Sequence, residues 1–263
     1  MALTIAGSDS GGGAGIQADL KTFTALDVFG TTALTCITAQ NPQGVRAIEA
    51  LSPELVVQQI RAVCEAFPVA AAKTGMLFSR AIIQAVAAAD VQQHLPILVV
   101  DPVMVTAAGD RLLQPDAIEI LCRELLPLAR VVTPNVHEAE ILCGHAVTSV
   151  DELRAAAREI SERYAVACVL KGGHLAGPEV VDVLCDEGQE HVFRGPRLAL
   201  AESHGCGCTF SAALTAYLAH GLLLDRAVAL AKDFVAGALE HAIAVGPHRP
   251  LAFGWMFPRG GSP

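Results

Sequence analysis

Short β-branched runs and Ala-rich helical patterns alternate along most of this chain. That alternation restricts the fold more than any other feature. Candidate strands cover 3–6, 31–38, 69–73, 97–100, 131–133, 166–171, 180–185 and 191–194. Candidate helices cover 16–26, 53–67, 80–90, 116–125, 136–143, 150–164, 209–220 and 224–245. The strands are almost continuously apolar, as strands buried on both faces are. The pattern therefore predicts an α/β fold with a mostly parallel sheet covered by helices on both sides. In such sheets ligands bind beyond the carboxyl ends of the strands, so chemistry is expected in the loops that follow them. No internal repeat, low-complexity segment or linker interrupts the pattern. Residues 1–263 are expected to form one domain with an irregular tail over 246–263.

Composition narrows the function classes. Hydrophobic residues make up 52% of the 263 and charged residues 17%, enough apolar content for a sizeable core. No apolar run approaches the ~20 residues of a membrane helix. The first residues lack the basic start of a secretion signal, so a cytoplasmic protein is expected. A net charge of −9 without any Lys/Arg cluster argues against nucleic acid or an anionic membrane as partner. Most of the eight cysteines sit inside apolar segments and read as small buried hydrophobes. A disulfide framework is not expected in a reducing compartment, and without a Cys-x-x-Cys pair a zinc ribbon has no basis.

The strand-end loops carry distinctive residues. The first runs Gly7-Ser-Asp-Ser-Gly-Gly-Gly-Ala-Gly15 before a helix that holds Asp19. Gly13, Gly15 and Ala18 have dinucleotide-like spacing, but the expected acid about 20 positions on is missing, and no P-loop motif occurs. The alternative is a flexible turn plus helix cap, with Asp19 a solvated helix acid. Gln40 and Met76 follow the next strands and suit a small polar heteroaromatic ligand, though such residues also serve in turns and cores. Asp101 follows an apolar strand, where an acid needs a partner, a metal or solvent. Asn135 and Glu138 have capping-box spacing and equally the oxygen chemistry that magnesium prefers. Lys171, ahead of two glycines, can reach a polyphosphate or leave its ammonium in solvent.

One turn stands apart: His204-Gly-Cys-Gly-Cys-Thr-Phe210. Two glycines lead into an Ala-rich helix, so free N–H groups and the positive end of a helix dipole meet at Gly205, Cys206, Gly207 and Cys208. An anion site and a thiol share this turn, and the dipole is expected to lower the Cys208 pKa.

In order along the chain, Ala6–Lys21, Ala39-Gln-Asn41, Lys73-Thr-Gly-Met76, Asp101-Pro-Val-Met104, Thr133-Pro-Asn135, Leu170-Lys-Gly-Gly-His174 and His204-Gly-x-Gly-Cys-Thr209 resemble the hydroxymethylpyrimidine/phosphomethylpyrimidine kinases of thiamin biosynthesis. The resemblance covers nearly the whole chain. It implies a three-layer α/β/α ribokinase-like fold, a homodimer, and transfer of the ATP γ-phosphoryl, with Mg²⁺, to a hydroxymethylpyrimidine and then to its monophosphate. By the same resemblance Gly7, Asp19, Gln40, Met76 and Val103 face the pyrimidine. Lys171, Asn135 and Thr209 serve ATP, and Asp101 and Glu138 serve Mg²⁺. Gly205–Cys208 forms the anion hole, with Cys208 as base where related sugar kinases carry an aspartate. The chain departs from the family pattern at Cys206, usually Thr, and at Thr106-Ala107-Ala108-Gly109, usually more polar. A pyridoxal or pyridoxine kinase on the same fold, or a pyrimidine-binding protein without turnover, are the competing readings.

Overall fold

The computed structural model describes residues 1–105, 112–198 and 204–257. Among these the elements run β1 (Ala2–Asp9), α1 (Gly15–Ala25), β2 (Gly30–Asn41), β3 (Gly44–Ala50), α2 (Pro53–Ala66), β4 (Ala71–Thr74), α3 (Arg80–Ala87), α4 (Ala89–Gln92) and β5 (Leu98–Val100). They continue with α5 (Pro115–Ile120), β6 (Val131–Val132), α6 (Val136–Cys143), α7 (Val150–Tyr164), β7 (Ala167–Lys171), β8 (Glu179–Asp186), β9 (Gln189–Pro196), α8 (Cys206–Ala219) and α9 (Leu224–Glu240).

The strands form one sheet in the order β3-β2-β1-β4-β5-β6-β7-β8-β9. From β2 through β7 every neighbouring pair is parallel. Both flanks are antiparallel, β3 on one side and β8–β9 on the other. Successive strand residues point to opposite faces, and both faces are buried. Leu3, Ile5, Ala72, Leu98, Val100 and Val132 pack with Val56 and Ile60 of α2, Ile83 of α3, Ala139 of α6 and Ile160 of α7. Their alternates Ala2, Ala71, Val99, Val131 and Val169 pack with Phe23 of α1, Phe210 and Leu214 of α8, and Phe234 of α9. A fully buried side chain such as Phe23 or Phe234 contributes roughly 1.5–3 kcal/mol of transfer free energy. The expected α/β/α layering is thus present.

Several boundaries differ from expectation. β3 was not anticipated: Gly44–Ala50 is mostly exposed and so lacks an apolar run, yet it forms a hairpin with β2. The helix expected over 116–125 is α only to Ile120 and continues as a π turn, Leu121–Leu125, and a 3₁₀ turn, Leu126–Leu128, that contains Pro127. The helix expected over 80–90 breaks at Ala88, whose backbone is extended. α9 stops at Glu240, short of 245. The described part of the tail, 246–257, is irregular but anchored: Val245 pairs with His248, Leu251 and Ala252 are buried, and the Trp255 ring stacks on His241. Trp255 also presses on Gly237, where an added Cβ would stand 2.3 Å from the ring. The departure at Thr106-Ala107-Ala108-Gly109 lies outside the described residues, as does the end of the tail.

Candidate active site

The carboxyl ends of β1, β4, β5, β6 and β7 meet the N-terminus of α8. Two glycine turns make that meeting close. Gly205 caps α8 with φ +85°, and a Cβ there would lie 1.9 Å from the Gly13 carbonyl oxygen. Gly15 has φ +56°, and a Cβ there would lie 2.4 Å from the Gly7 carbonyl oxygen. Only glycine satisfies both the positive φ and the space.

Asp9 organises the first turn. Its carboxylate accepts the N–H groups of Gly11 (2.8 Å), Gly13 (3.1 Å) and Ala14 (2.8 Å). It also lies 3.1 Å from Nε2 of His204, which ties the two turns together. Burial works against the charge, but the His204 hydrogen bond and the backbone N–H groups hold Asp9 below its ordinary range. A cavity of about 200 Å³ opens beside this contact, lined in part by Gly11, Gly13, Pro42 and His204.

Two Lys–Asp pairs lie beneath α8. Lys73, at the end of β4, reaches Asp19 of α1 at 2.7 Å, and both side chains are 0% exposed. The second Asp19 oxygen accepts the Thr4 hydroxyl at 2.6 Å. Burial opposes the Lys73 ammonium, but Asp19 together with Cys208 and Asp101 outweighs it and raises the lysine above its ordinary range. Asp19 is therefore neither the solvated acid nor a direct ligand contact expected from sequence, because it is sealed under the site.

Lys171, at the end of β7, reaches Asp101 at 3.2 Å and keeps 14% of its side chain exposed. Asp101 also accepts the hydroxyls of Thr133 (3.1 Å) and Ser211 (3.0 Å). Burial pushes Asp101 up, and Lys171, Lys73 and the Ser211 hydroxyl bring it below its ordinary range. The Lys171 ammonium stands 3.4 Å from where a Gly207 Cβ would be, directly under the turn. Gly172 lets the chain leave β7, since a Cβ there would meet the Val181 carbonyl oxygen at 2.1 Å.

The first residues of α8 present N–H groups with no intrahelical acceptor. Cys206, Gly207 and Cys208 are all partly exposed. Two expectations fail here. Thr209 is 0% exposed and its hydroxyl donates back to the Gly205 carbonyl at 2.8 Å, so it shapes the turn and offers no free group to a nucleotide. The Cys208 pKa is not lowered: burial pushes it up to about 12, over the pull of Lys73. The neighbouring Asp19 and Asp101 add to the burial effect. Burial likewise raises Cys206, to about 11. Cys208 rests as a thiol and is not a ready base.

Asn135 and Glu138 form a true capping box, with bonds of 3.0 and 2.9 Å. Burial raises Glu138 to about 7. A carboxylate offers about four lone-pair sites. Asp101 already accepts from Thr133, Lys171 and Ser211, and Glu138 accepts the N–H groups of Asn135 and Met104. The all-oxygen set fits a hard cation that keeps most of its waters.

On the other side of Cys208, a Cβ on Gly7 would lie 2.7 Å from Cys36 Sγ and 3.6 Å from Met76 Sδ, so these three pack together. Gln40 is held by Ser10 through its backbone and accepts the Thr38 hydroxyl at 3.2 Å. Gln40, Met76 and Val103 are all partly exposed. Gln40, Met76 and Val103 thus remain open to a ligand, whereas Gly7 and Asp19 are buried. Sequence reasoning assigned no role to Asp9, Lys73, Thr133, His204 or Ser211. A readable signal existed for one: Lys73-Thr-Gly repeats the strand-end pattern of Lys171-Gly-Gly.

The comparisons with known proteins agree with this geometry. The sequence matches the phosphomethylpyrimidine kinase family over residues 9–251. It is 43% identical to the hydroxymethylpyrimidine/phosphomethylpyrimidine kinase of Haemophilus influenzae, covering 98% of this chain and 97% of that one. It is 46% identical to a bifunctional thiamine biosynthesis protein of Geobacter sulfurreducens over 95% of this chain, and spans about half (51%) of that longer protein. Among solved structures, the ADP complex of Bacillus subtilis pyridoxal kinase superposes with a TM-score of 0.88 at 37% identity, covering 97% of both chains. A phosphomethylpyrimidine kinase of Clostridium difficile superposes at 0.78 with 42% identity, covering 89% of this chain and 97% of that one. The fold is the ribokinase-like one shared by these kinases. The chain belongs to the phosphomethylpyrimidine kinase family and is an ATP-dependent kinase.

Proposed function

We propose that this chain transfers the γ-phosphoryl of ATP to the hydroxymethyl oxygen of 4-amino-5-hydroxymethyl-2-methylpyrimidine, and then phosphorylates the monophosphate to the pyrophosphate used in thiamin assembly. One observation carries the reading. The Gly205–Cys208 turn places helix N–H groups directly over the Lys171 ammonium, which Asp101 holds, itself fixed by the Thr133 and Ser211 hydroxyls. Phosphoryl transfer needs positioning and charge neutralisation more than covalent help.

The pyrimidine ring lies against Gln40, Met76 and Val103, and its hydroxymethyl group points to Cys208. The oxygen attacks the γ-phosphorus as the bond to the ADP oxygen breaks. The N–H groups of residues 205–208 and Lys171 take up charge on the transferred group. Because Cys208 rests as a thiol, its sulfur orients the hydroxyl, and the proton passes late, once the new P–O bond is well formed, to an oxygen of the transferred phosphoryl group and from there to solvent. Asn135, Glu138 and Asp101 would hold a hydrated Mg²⁺, which when bound would supply further neutralisation of the phosphates. One domain carries the whole reaction, as a cytoplasmic homodimer.

A second reading is pyridoxal phosphorylation, favoured by the likeness to the Bacillus subtilis pyridoxal kinase. Pyridoxal also presents a hydroxymethyl group on a heteroaromatic ring. An ADP-release assay with hydroxymethylpyrimidine, its monophosphate and pyridoxal separates the readings. The proposal expects turnover of both pyrimidines, with kcat/KM above that for pyridoxal. Faster turnover of pyridoxal favours the second reading, and binding without ADP release overturns both.

A further inference from the structure

A second side-chain cluster lies away from the kinase site. Cys143 ends α6, His145 follows two residues later, and Glu159 sits on α7. One sulfur, one ring nitrogen and one carboxylate oxygen from these residues lie within 4.8 Å of one another. Among the described residues it is the only group of three or more such donors that close. Gly144 between the first two has φ +81°, the left-handed helix end that turns His145 back toward α7.

His145 Nδ1 lies 3.2 Å from the Ala146 carbonyl, and its Nε2 lies 2.9 Å from Glu159, whose carboxylate accepts the Nε2 proton that a bound cation would displace to solvent. Glu159 divides its oxygens: Oε1 takes Arg163, and Oε2 faces His145. The Arg163 guanidinium is itself tied to the Leu142 carbonyl at 2.6 Å, so it supports the carboxylate from outside the cluster. Cys143 Sγ has only a long 3.9 Å contact with the Ala156 carbonyl.

We propose that Cys143, His145 and Glu159 bind one divalent d-block cation, Zn²⁺ above all. Sulfur, imidazole nitrogen and carboxylate oxygen are the donors that zinc takes, with water completing a tetrahedron. Bond lengths of about 2.0–2.3 Å place tetrahedral donors roughly 3.3–3.8 Å apart, so the cluster needs only a small side-chain adjustment. The ion clamps the end of α6 to α7. The opposite end of α6 carries Asn135 and Glu138, so the clamp braces a helix that serves the kinase site.

The test is titration of the metal-stripped full chain with zinc chloride, read by calorimetry and by the melting temperature, and repeated with cobalt(II) for its thiolate charge-transfer absorption. One zinc per chain, a rise in melting temperature and a thiolate band are expected. His145→Ala and Cys143→Ser each weaken binding by at least roughly tenfold and abolish the melting shift. His145 is exposed, so its replacement leaves the fold and ADP release intact. A Cys206→Ser/Cys208→Ser protein binds zinc as the parent does. The proposal is overturned if no stoichiometric binding occurs, or if binding survives loss of Cys143 and His145, or follows Cys206 and Cys208.

Discussion

The two Lys–Asp pairs under α8 use the same residue types, and both lysines end parallel strands. Lys73–Asp19 is sealed, whereas Lys171–Asp101 opens toward the Gly205–Cys208 turn. On the proposed reaction, access and not residue type decides which pair meets the phosphate. A sealed pair costs desolvation and is kept only by its mutual attraction and the Thr4 hydrogen bond. An open lysine keeps the capacity to neutralise an incoming charge.

The largest effect is expected from breaking the sealed pair. Lys73→Met leaves Asp19 buried without its cation and lowers unfolding stability by about 3–5 kcal/mol in urea titrations. Adding Asp19→Leu recovers most of that loss, because replacing both charges restores an apolar contact. A Lys73→Met protein as stable as the parent would break the comparison.

Next comes the open pair. Lys171→Met lowers kcat/KM for ATP by about 10²–10³-fold in ADP-release assays, the size of one lost charge-stabilising contact. Its stability loss is smaller than that of Lys73→Met, since Thr133 and Ser211 still hold Asp101.

Cys208→Ala removes the group that orients the hydroxymethyl oxygen. It lowers kcat by about 10²-fold with substrate affinity retained. Iodoacetamide labelling of Cys208 in the folded parent is slow at neutral pH, because burial holds the thiol proton. Rapid labelling at pH 7 would restore the base role expected from sequence.

The smallest effect concerns pH. Burial raises Glu138 from its ordinary value to about 7 in the folded chain, so the fold binds its proton more tightly than the unfolded chain does. That stabilisation is fully present below pH ~4.5 and is lost as pH rises through about 7. Glu138→Gln therefore raises the melting temperature at pH 8 more than at pH 5.

Most of the fold was legible because both sheet faces are buried, which writes each central strand as an apolar run. β3 was illegible for the same reason reversed: an exposed edge strand needs no such run. The anion turn was legible through Gly205 and Gly207 and the helix pattern behind them. The state of Cys208 was not, because a helix dipole is visible in sequence and the depth of burial is not. Asp19 misled likewise, since its partner Lys73 lies 54 residues away along the chain. Asp9 and His204 are 195 residues apart, and their contact appears only when the two glycine turns meet.

The account rests on the open lysine serving the phosphoryl group while the sealed one serves the fold. The most direct measurement is ADP release with hydroxymethylpyrimidine by Lys171→Met, taken beside its urea midpoint. The expected result is a midpoint near that of the parent with kcat/KM for ATP reduced at least about 10²-fold. Parent-like turnover in a folded Lys171→Met protein would contradict it.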